Sequence, residues 1–440
     1  MKIAISILFL VQLLSAQVID TLYLSSENQF VEVDSIAIEG NDITEEFIIL
    51  REMTIVEGDK VNSKLINYDR ERIYSLGLFN YVDLHIIRVE DKNVLVIKVY
   101  EKWYLYPLPF IFFSQGELKN PTYGINFKLE NFRGRNETLN AFLAFGYDPR
   151  IRLSYSNPSL LHKEGIGFGA QVSYQDFLNR SSTAKAIAGK DFEYRIYSAS
   201  ISFNKRLDQF NLVQVGTGFT YIESDEFAVK GITASGDRLD RLPFLSVQYV
   251  FDTRDLKQFP KTGLLTSARL TYSGFGFSNI SHQVLEFDFR QYNHLLKDLT
   301  ARWRVNYRGA FGKFVPYYDY SFLGFSTYVR GHRDNEIEGL QYLLSSFEVS
   351  YAILDEWRLS LDLPLLPKSL TSTRIGINFN IFADTGTTFD NIDDLKINNF
   401  LSGYGFGLNI LFLPFNSVRF EVAFDEFMNE EFLIGTGFSF

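Results

Sequence analysis

The segment that decides the fold runs from Gly312 to Leu344 (GKFVPYYDYSFLGFSTYVRGHRDNEIEGLQYLL). It separates two stretches, Leu299–Phe311 and Ser345–Leu363, in which apolar and polar residues alternate. Alternation with a period of two is the pattern of β-strands. The roughly thirty residues between them exceed the ~12–15 residues that structureless loops usually reach. Because this segment is rich in tyrosine and phenylalanine, we predict two strands joined by a loop that folds back onto the protein.

The same alternation continues along most of the chain. After Trp103 no segment has helical periodicity, and about sixteen alternating segments follow, an even number as closed bacterial barrels require. The predicted strands are Tyr104–Ser114, Thr122–Asn131, Glu137–Tyr147, Arg150–Asn157, Gly165–Phe177, Tyr194–Arg206, Phe210–Ile222, Leu242–Phe251, Gly263–Phe275, His282–Tyr292, Leu299–Phe311, Ser345–Leu363, Arg374–Thr385, Gly403–Phe412, Val418–Phe427 and Phe432–Phe440. The predicted fold class is therefore an all-β transmembrane barrel of about 16 antiparallel strands over residues 104–440.

Composition agrees with this fold and excludes several functions. Of the 440 residues, 46% are hydrophobic and 16% aromatic, and both Phe and Tyr favour strands. A mean hydropathy of -0.05 fits a barrel with one face toward lipid and the other toward water. The net charge of -10 disfavours nucleic acid as a partner. The absence of cysteine excludes disulfides, thiol catalysis and thiolate metal sites.

The lengths of the predicted connections indicate a barrel of the outer-membrane type. Such barrels have long external loops on one rim and short periplasmic turns on the other. The long connections are Leu178–Glu193, Glu223–Arg241, Gly312–Leu344 and Gly386–Ser402, and the short ones include Arg133–Asn136, Leu207–Gln209 and Leu413–Asn416. The N-terminal part and the C-terminus are then expected on the periplasmic side. The alternative is a soluble β protein with one core face and one wet face; the many charges on the polar faces favour the barrel.

The N-terminal part of the chain has a different pattern. Residues 1–16 combine a single cation, an apolar segment and a small-residue end, which is typical of a secretory signal peptide. Residues 17–31 are polar and are interpreted as a tether. In residues 32–103 we predict a short strand, a helix capped by Thr44, a second helix capped by Ser63, and two strands joined by a tight turn. This β-α-α-β-β order predicts one small α+β domain.

The last predicted strand raises the question of how the barrel closes. In hydrocarbon every backbone N–H and C=O must be paired, so the first and last strands are expected to meet. Gly435 and Gly437 lie on one face of Phe432–Phe440, and Phe438 and Phe440 lie on the other. Two glycines weaken a strand, which fits either a loosely paired seam or a close backbone approach inside a crowded lumen. We predict these four residues as the seam and C-terminal signal.

Three motifs carry a resemblance to a known family. Val329-Arg330-Gly331-His332 resembles the VRG-aromatic signature of the BamA/TamA superfamily of POTRA–barrel outer-membrane proteins, the bacterial surface antigen family. Phe382-Ala383-Asp384-Thr385-Gly386 is similar to its F-x-D-x-G element, and Phe251-Asp252-Thr253-Arg254-Asp255 to its turn motif. Residues 32–103 resemble a single POTRA domain, so the resemblance covers essentially all of Glu32–Phe440. His332 stands where the family usually has Phe or Tyr.

The resemblance implies a lock between the long loop and the barrel. In the family the loop folds into the lumen, so Arg330 would meet Asp384, with Val329, Gly331, His332, Phe382 and Gly386 around them. The alternation along this strand supports the pairing. Asp384 lies on the same face of the strand as Asn378 and Asn380, so its side chain should point inward. A loop arginine and a shielded aspartate would form a charge-assisted pair. The alternative is that Asp384 is one more solvated carboxylate of the lumen.

The resemblance also implies a function. It predicts an outer-membrane protein that assembles or translocates client proteins, by β-barrel insertion or secretion, with its N-terminal domain in the periplasm. The expected partners are unfolded outer-membrane or secreted clients, outer-membrane lipid, and periplasmic or lipoprotein partners. A passive, porin-like channel is the alternative, because the inward faces are polar and charged.

No enzyme activity, cofactor or metal is predicted. The histidines at 85, 162, 282, 294 and 332 are scattered and have no Ser or carboxylate constellation beside them. The acidic loop of Asp390, Asp393 and Asp394 could bind a divalent cation, and a solvated acidic loop is the alternative.

Overall fold

A small mixed sheet with two helices forms the N-terminal part of the protein in the computed structural model, which describes residues 20–22, 29–113, 121–324 and 327–437. Its elements are β1 (Asp20–Leu22), β2 (Val31–Glu32), β3 (Ser35–Glu39), α1 (Glu46–Leu50), β4 (Lys60–Val61), α2 (Ser63–Tyr74), β5 (Phe79–Val89) and β6 (Lys92–Glu101). The sheet order is β1-β5-β6-β3 with β3 parallel to β6, while β2 and β4 form a separate pair. The predicted β-α-α-β-β order is confirmed.

β1 lies within the segment that was expected to be a tether. Asp20 pairs with Arg88 and Leu22 with Ile86, so the tether expected at residues 17–31 is interrupted by a strand. The physical reason is that β5 would otherwise be an edge strand, and its free backbone groups pair with an extended segment within reach. The predicted signal peptide lies outside the described residues.

Both predicted helix caps differ from the observed ones. Thr44 does not cap α1; its hydroxyl is buried, donates to a Glu101 carboxylate oxygen at 2.5 Å and accepts from the Asn131 amide at 2.8 Å. α1 begins after Glu45, which makes no side-chain cap hydrogen bond. α2 is capped by Asn62, one residue before the predicted Ser63, because the Asn62 side chain accepts from a backbone N–H at 3.0 Å. Tertiary contacts therefore recruit the Thr44 hydroxyl that local sequence assigns to a helix end.

Sixteen antiparallel strands form the second part of the protein, and the predicted fold class is confirmed. The elements in chain order are β7 (Leu105–Phe113), β8 (Pro121–Phe132), β9 (Glu137–Gly146), β10 (Arg150–Leu161), β11 (Ile166–Leu178), α3 (Ser182–Ala188), β12 (Glu193–Arg206), β13 (Asn211–Glu223), β14 (Leu239–Asp252), β15 (Gly263–Ser273), β16 (His282–Leu296), β17 (Leu299–Gly312), β18 (Ser321–Leu323), β19 (Ile337–Gly339), β20 (Gln341–Ser360), α4 (Lys368–Thr371), β21 (Ser372–Phe389), β22 (Leu401–Leu413), β23 (Asn416–Asp425) and β24 (Glu430–Thr436), with 3-10 turns at Phe277–Asn279, Tyr317–Asp319, Ile392–Asp394 and Ile397–Asn399. In the part of the chain that the structure describes, β18 and β19 pair only with each other, and the remaining strands from β7 onward pair with their neighbours along the chain.

The two faces of this sheet differ as the alternation predicts. Along β20, Phe347 and Tyr351 are 49% and 50% exposed, whereas Glu348 and Ser350 are 0% and 2% exposed. Apolar side chains therefore lie on the outside and polar ones on the inside, which is the arrangement of a transmembrane barrel. Within the described ranges, no helix is both long and apolar enough to cross a membrane.

The connections define two rims. The short-turn rim carries the connections 133–136, 162–165, 207–210, 253–262, 297–298, 361–371 and 414–415; the long-loop rim carries 147–149, 179–192, 224–238, 274–281, 313–340, 390–400 and 426–429. The connections alternate between short and long as predicted, except that each rim also has two of the other kind: 253–262 and 361–371 are long, and 147–149 and 426–429 are short. The connections 253–262 and 361–371 are longer than tight turns because they pack against the N-terminal domain.

The N-terminal domain lies across the short-turn rim. Leu256 and Phe259 from the connection 253–262 belong to the same hydrophobic core as Ile73 and Leu78 of the domain. Hydrogen bonds reach other parts of the rim: Arg72 to the carbonyl of Gln209 at 2.8 Å, Tyr81 to the carbonyl of Leu359 at 2.8 Å, and Asn80 to the carbonyl of Ser369 at 2.8 Å. The domain and the barrel therefore share one core.

The two ends of the sheet border a seam, which we define as the gap between β7 and β24. Among the described residues β7 pairs only with β8, and β24 only with β23. The start of β7 nevertheless lies near the last hairpins, because the rings of Tyr106 and Phe415 have centroids 6.4 Å apart. The expectation that the first and last strands meet is not met by strand pairing within these residues, where β7 approaches the turn between β22 and β23 through side chains.

Candidate functional site

The long loop between β17 and β20 is a folded hairpin rather than a free chain. β18 and β19 pair with each other, with Ser321 opposite Gly339. Val329 is 1% exposed and packs in a small core with Leu323, Tyr342 and Leu344. This core fixes the position of the next residue in the chain, Arg330.

Arg330 and Asp384 are brought together as the sequence predicts. The guanidinium Nε and one Nη donate to the two Asp384 carboxylate oxygens at 2.7 and 2.8 Å, and the Arg330 backbone N–H donates to the same carboxylate at 3.2 Å. The guanidinium carbon also lies 3.5 Å from the centre of the Phe382 ring. Both charged side chains are buried, at 6% and 3% exposure. The pair is bidentate, the geometry in which arginine binds a carboxylate most specifically.

Two more carboxylates accept from the same guanidinium. Glu348 of β20 lies at 3.2 Å and Glu421 of β23 at 3.0 Å from the second Arg330 Nη. Glu348 also accepts from Arg302 at 3.1 Å, and Arg419 lies 3.5 Å from Glu421. We call these six residues the lock cluster: Arg302, Arg330, Arg419, Glu348, Asp384 and Glu421. Three positive and three negative charges balance, which is the condition under which charges are tolerated in a buried site.

A glycine on β22 makes room for the loop. A Cβ atom on Gly403 would stand 1.8 Å from the carbonyl oxygen of Arg330, so only glycine permits this approach. Gly386 is packed in the same way, because a Cβ there would lie 3.1 Å from side-chain carbons of Leu323 and Val329. Gly331 has a φ of 95°, a left-handed backbone that favours glycine. These glycines let the loop backbone lie against the barrel wall.

The loop motif also contacts the last hairpin. The Gly331 N–H donates to a Glu431 carboxylate oxygen of β24 at 2.8 Å. His332 Nε2 lies 2.7 Å from a carboxylate oxygen of Glu426 and 3.2 Å from the carbonyl of Ser402. His332 therefore makes hydrogen bonds at the position where the ring of the usual Phe or Tyr would pack. The motif touches each strand from β20 to β24.

The predicted seam glycines have different surroundings. A Cβ on Gly435 would lie 2.9 Å from an Arg419 guanidinium nitrogen, which agrees with a close approach in a crowded lumen. Gly437 has a φ of 92° and donates its N–H to the carbonyl of Ser417 at 2.9 Å, just after the end of β24. Phe438 and Phe440 lie outside the described residues, so their predicted role as a C-terminal signal stays a prediction.

Arg302 connects the lock cluster to the docked domain. Its guanidinium carbon lies 3.7 Å from the centre of the Phe259 ring, and Phe259 belongs to the core shared by the domain and the short-turn rim. Arg302 is 2% exposed, and its other polar contact is Glu348. A continuous chain of contacts thus runs from Arg330 through Glu348 and Arg302 to Phe259.

Charged pairs hold the domain on the rim. Arg374 of β21 donates to Glu71 of α2 at 2.8 Å, and Arg206 of β12 donates to Glu52 at 2.6 Å. Burial raises the pKa of Glu71, but Arg374 and Arg70 outweigh it and lower that pKa from 4.5 to about 2. Burial likewise raises the pKa of Glu52, while its cationic neighbours, Lys257 first among them, lower it below its usual value. Both carboxylates are therefore ionised at neutral pH.

The residues considered for metal binding and catalysis do not assemble. Within the described ranges, no group of three or more His, Cys, Asp or Glu side chains could hold a metal ion. Asp394 instead forms a local capping box with Asn391. His282 pairs with Asp319 at 2.5 Å and lies far along the chain from His332 and its partner Glu426.

Several residues of the site were not singled out from the sequence. Glu348 on β20 and Glu421 on β23 point inward as Asp384 does on β21, and this common parity is the signal that could have found them. Glu431 and Gly403 carry no such signal, because their contacts depend on where the loop lies.

A POTRA domain followed by an outer-membrane barrel is the class of protein that this fold and site define. The sequence matches the Omp85 superfamily domain over residues 131–440 and the POTRA domain, described as a surface antigen variable number repeat, over residues 31–102. The chain therefore belongs to the Omp85 superfamily, and the resemblance found in the sequence is confirmed. Such a barrel with a POTRA domain indicates the bacterial outer membrane.

Known proteins of this kind are similar to the chain. The outer membrane protein assembly factor BamA of Nitratidesulfovibrio vulgaris is 24% identical over 350 residues, which are 73% of this chain and 40% of that protein. BamA from Haemophilus ducreyi lacking POTRA domains 1-3 has a similar structure, with a TM-score of 0.53 and 17% identity over 96% of this chain and 90% of that one. CdiB from Escherichia coli also has a similar structure, with a TM-score of 0.57 and 12% identity over 92% of this chain and 75% of that one. The chain spans about 40% of the curated relative.

Proposed function

We propose that this protein assembles or translocates client proteins at the bacterial outer membrane. The N-terminal domain lies in the periplasm and receives an unfolded client, for which the edge strand β3 offers backbone groups by β-augmentation. The client then reaches the barrel at the seam between β7 and β24. A relative that is an outer membrane protein assembly factor supports this proposal.

The observation that carries the proposal is the position of the lock cluster. It ties the loop motif to the strands from β20 to β24, which end at the seam, and β24 does not pair with β7 among the described residues. A protein that only forms a stable pore does not need an edge strand that the loop motif holds in place but that does not pair with the first strand of the barrel. A protein that adds client strands to its own barrel sheet needs such an edge.

A passive channel is the second candidate, and one feature favours it. A cavity of about 520 Å³ is lined by small polar side chains of β10 to β15, among them Ser154, Gln171, Ser200 and Gln214. Conductance in planar bilayers separates the two functions. Large steady openings would support the channel, whereas a loop-filled barrel closed by a docked domain should show only small, flickering ones.

Depletion of the protein in its native host tests the assembly function directly. We expect specific outer-membrane or secreted proteins to disappear from the cell envelope and to return when a plasmid-borne copy is expressed. The control is the same depletion with a copy carrying Arg269→Ala, a half-exposed lumen residue outside the lock cluster, which should restore them equally. An unchanged envelope proteome after depletion would reject the proposed function.

A further inference from the structure

A cavity of about 620 Å³ lies where α2 of the N-terminal domain meets the short-turn rim. This volume is typical of sites that bind small molecules. The domain contributes side chains from residues 62–71, and the barrel contributes the connection 253–262, the turn between β16 and β17, and single residues of β20 and β21. A ligand bound there would therefore contact the domain and the barrel at the same time.

The charged side chains that line this cavity carry an excess of positive charge. Five are basic and three are acidic: Lys64, Arg70, Lys261, Lys297 and Arg374 against Glu71, Asp255 and Asp355. Glu71 accepts from Arg374 at 2.8 Å, and Asp355 accepts a hydrogen bond of 2.5 Å from Lys261. One Asp255 oxygen accepts three backbone N–H groups of its own connection. The acidic groups are thus already engaged, and the basic ones outnumber them.

Several of these basic groups are incompletely satisfied. Lys64 and Lys297 are exposed and pair with no carboxylate in the described part of the chain. The Nε atoms of Arg70 and Arg374 are buried and make no hydrogen bond there, and a Glu356 oxygen stays 3.6 Å from the Arg374 Nε. Arg374 as a whole is only 7% exposed. A buried donor without an acceptor is costly, so these groups favour an anionic ligand in the cavity.

The first turn of α2 adds a further feature that favours an anion. Asn62, Lys64 and Leu65 line the cavity, and they stand at the start of a helix of 12 residues. The N-terminus of a helix has unpaired backbone N–H groups and the positive end of the helix dipole. Lys64 adds a full positive charge to this turn. The domain side of the cavity is therefore attractive to a phosphate group.

The turn between β16 and β17 places the cavity beside the membrane. His294 and Lys297 line the cavity, whereas Leu295 and Leu296 between them are 53% and 69% exposed. Exposed leucines at the end of a membrane-spanning strand belong against acyl chains. One turn thus presents polar groups to the cavity and apolar groups to lipid.

β20 presents the same kind of border. Asp355 lines the cavity, and Ile353 and Trp357 on either side of it are 58% and 52% exposed. These two side chains continue the outward row of Phe347 and Tyr351. Tryptophan is enriched where a bilayer meets water. The cavity therefore lies at the level where the lipid face of the barrel ends and lipid headgroups begin.

We propose that this cavity binds the phosphate headgroup of an anionic glycerophospholipid. The phosphate lies between Lys64 of the domain and Lys297 of the rim, and the acyl chains lie against Leu295 and Leu296. Because such a lipid contacts both parts of the protein, it holds the domain in its docked position. The inference needs from the proposed function only that the short-turn rim faces the periplasm, so that the lipid belongs to the periplasmic leaflet.

Photo-crosslinking tests this site on the full-length chain reconstituted in phosphatidylcholine vesicles. Benzoylphenylalanine replaces Leu296 beside the cavity in one variant and Leu153, which is 46% exposed on the lipid face of β10, in a control variant. The vesicles contain labelled phosphatidylglycerol in one series and labelled phosphatidylcholine in the other. We expect phosphatidylglycerol to form more adduct than phosphatidylcholine at position 296, and equal amounts of both at position 153.

Charge substitutions show whether the cavity causes this preference. Lys64→Gln with Lys297→Gln should raise the phosphatidylglycerol concentration for half-maximal adduct at 296 roughly thirtyfold, as the loss of two basic residues beside an anionic headgroup implies. The matched control is Lys92→Gln with Lys163→Gln, which removes one exposed lysine of the domain and one of a rim turn outside the cavity. It should leave that concentration unchanged. Heat-modifiable migration checks that each variant is folded.

Three results would overturn the proposal. Adduct at 296 might form without preference for phosphatidylglycerol, or the preference could survive Lys64→Gln with Lys297→Gln. Loss of the preference on adding inorganic phosphate at constant ionic strength would show that the cavity takes free phosphate rather than a lipid. Depletion without effect on the envelope would reject only the assembly function, because the crosslink is measured without a client.

Discussion

Arg330 loses its hydration on entering the barrel, and fixed groups of the protein replace the lost water. Its guanidinium donates to Asp384, Glu348 and Glu421 and stacks on Phe382. The net stabilisation of such a buried cluster is small, because desolvation opposes the attraction. Its removal is costly, however, since Asp384 would be left as a buried carboxylate without a counter-charge, while Glu348 and Glu421 would keep only Arg302 and Arg419.

We expect Arg330→Ala to destabilise the barrel by about 3–5 kcal/mol, the usual cost of removing one partner of a buried ion pair. The measurement is the temperature at which the protein loses its compact, heat-modifiable migration on a denaturing gel. Arg330→Lys should give an intermediate value, because lysine keeps the charge but loses the bidentate geometry.

The matched control is Arg269→Ala, whose side chain is 45% exposed and lies 3.7 Å from Glu286. An exposed pair contributes little, so this variant should migrate like the parent. If Arg330→Ala also migrated like the parent, the contacts of Arg330 would contribute little to the stability of the barrel.

At the scale of elements, α2 joins the N-terminal domain to the barrel through charged side chains. Glu71 lies between Arg70 on its own helix and Arg374 on β21, and Glu356 of β20 lies 3.5 Å from Arg70 and 3.6 Å from Arg374. A carboxylate whose pKa is lowered on docking binds fewer protons in the docked state. Docking should therefore weaken as the pH falls.

We expect the domain to separate from the rim as the pH falls below 4.5, where free Glu71 would begin to bind protons, toward its docked pKa of about 2. Hydrogen exchange of the α2 backbone, expressed as protection relative to the intrinsic rate at each pH, is the measurement, and this protection should fall across the range. Glu71→Gln should weaken docking at neutral pH and flatten the pH dependence. Protection of α2 in the parent that does not change between pH 5 and about 2 would contradict this role of Glu71.

At the scale of the whole molecule, one chain of contacts through the barrel interior joins the loop motif to the N-terminal domain. The loop motif meets Glu348, Glu348 meets Arg302, and Arg302 lies on Phe259 in the core shared with the N-terminal domain. Such a network implies that undocking of the domain and release of the loop are energetically coupled. Measured coupling, and not contact alone, establishes this.

A double-mutant cycle between Phe259→Ala and Arg330→Ala measures the coupling. We expect a non-additive term of about 0.5–3 kcal/mol in the free energy of unfolding, as is typical of residues in one network. The control cycle pairs Phe259→Ala with Arg269→Ala and should be additive within about 0.5 kcal/mol. Additivity in both cycles would mean that the domain and the loop respond independently.

The order of strands could be read from the chain because it depends on local rules, and the pairing of Arg330 with Asp384 was implied by the resemblance of two motifs to those of a known family. A strand presents alternate residues to its two faces, so Phe347 and Tyr351 identify the outside of β20, and Glu348 the inside, without any tertiary information. The same parity turns Asp384 inward, and the motif around Arg330 indicates its partner. The seam and the caps could not be read in the same way, since Thr44 serves Glu101 and Asn131 rather than its own helix.

The amino-acid sequence by itself determined a small α+β domain, a barrel of about sixteen strands and a long loop that folds back, because periodicity is a property of neighbouring residues, and motif resemblance added the POTRA assignment and the inward arginine. Only the tertiary structure decided that Arg330 meets three carboxylates and that the N-terminal domain lies on the rim. Each of these depends on strand register and on which distant segments the curved sheet brings together, and no local pattern of side chains encodes that.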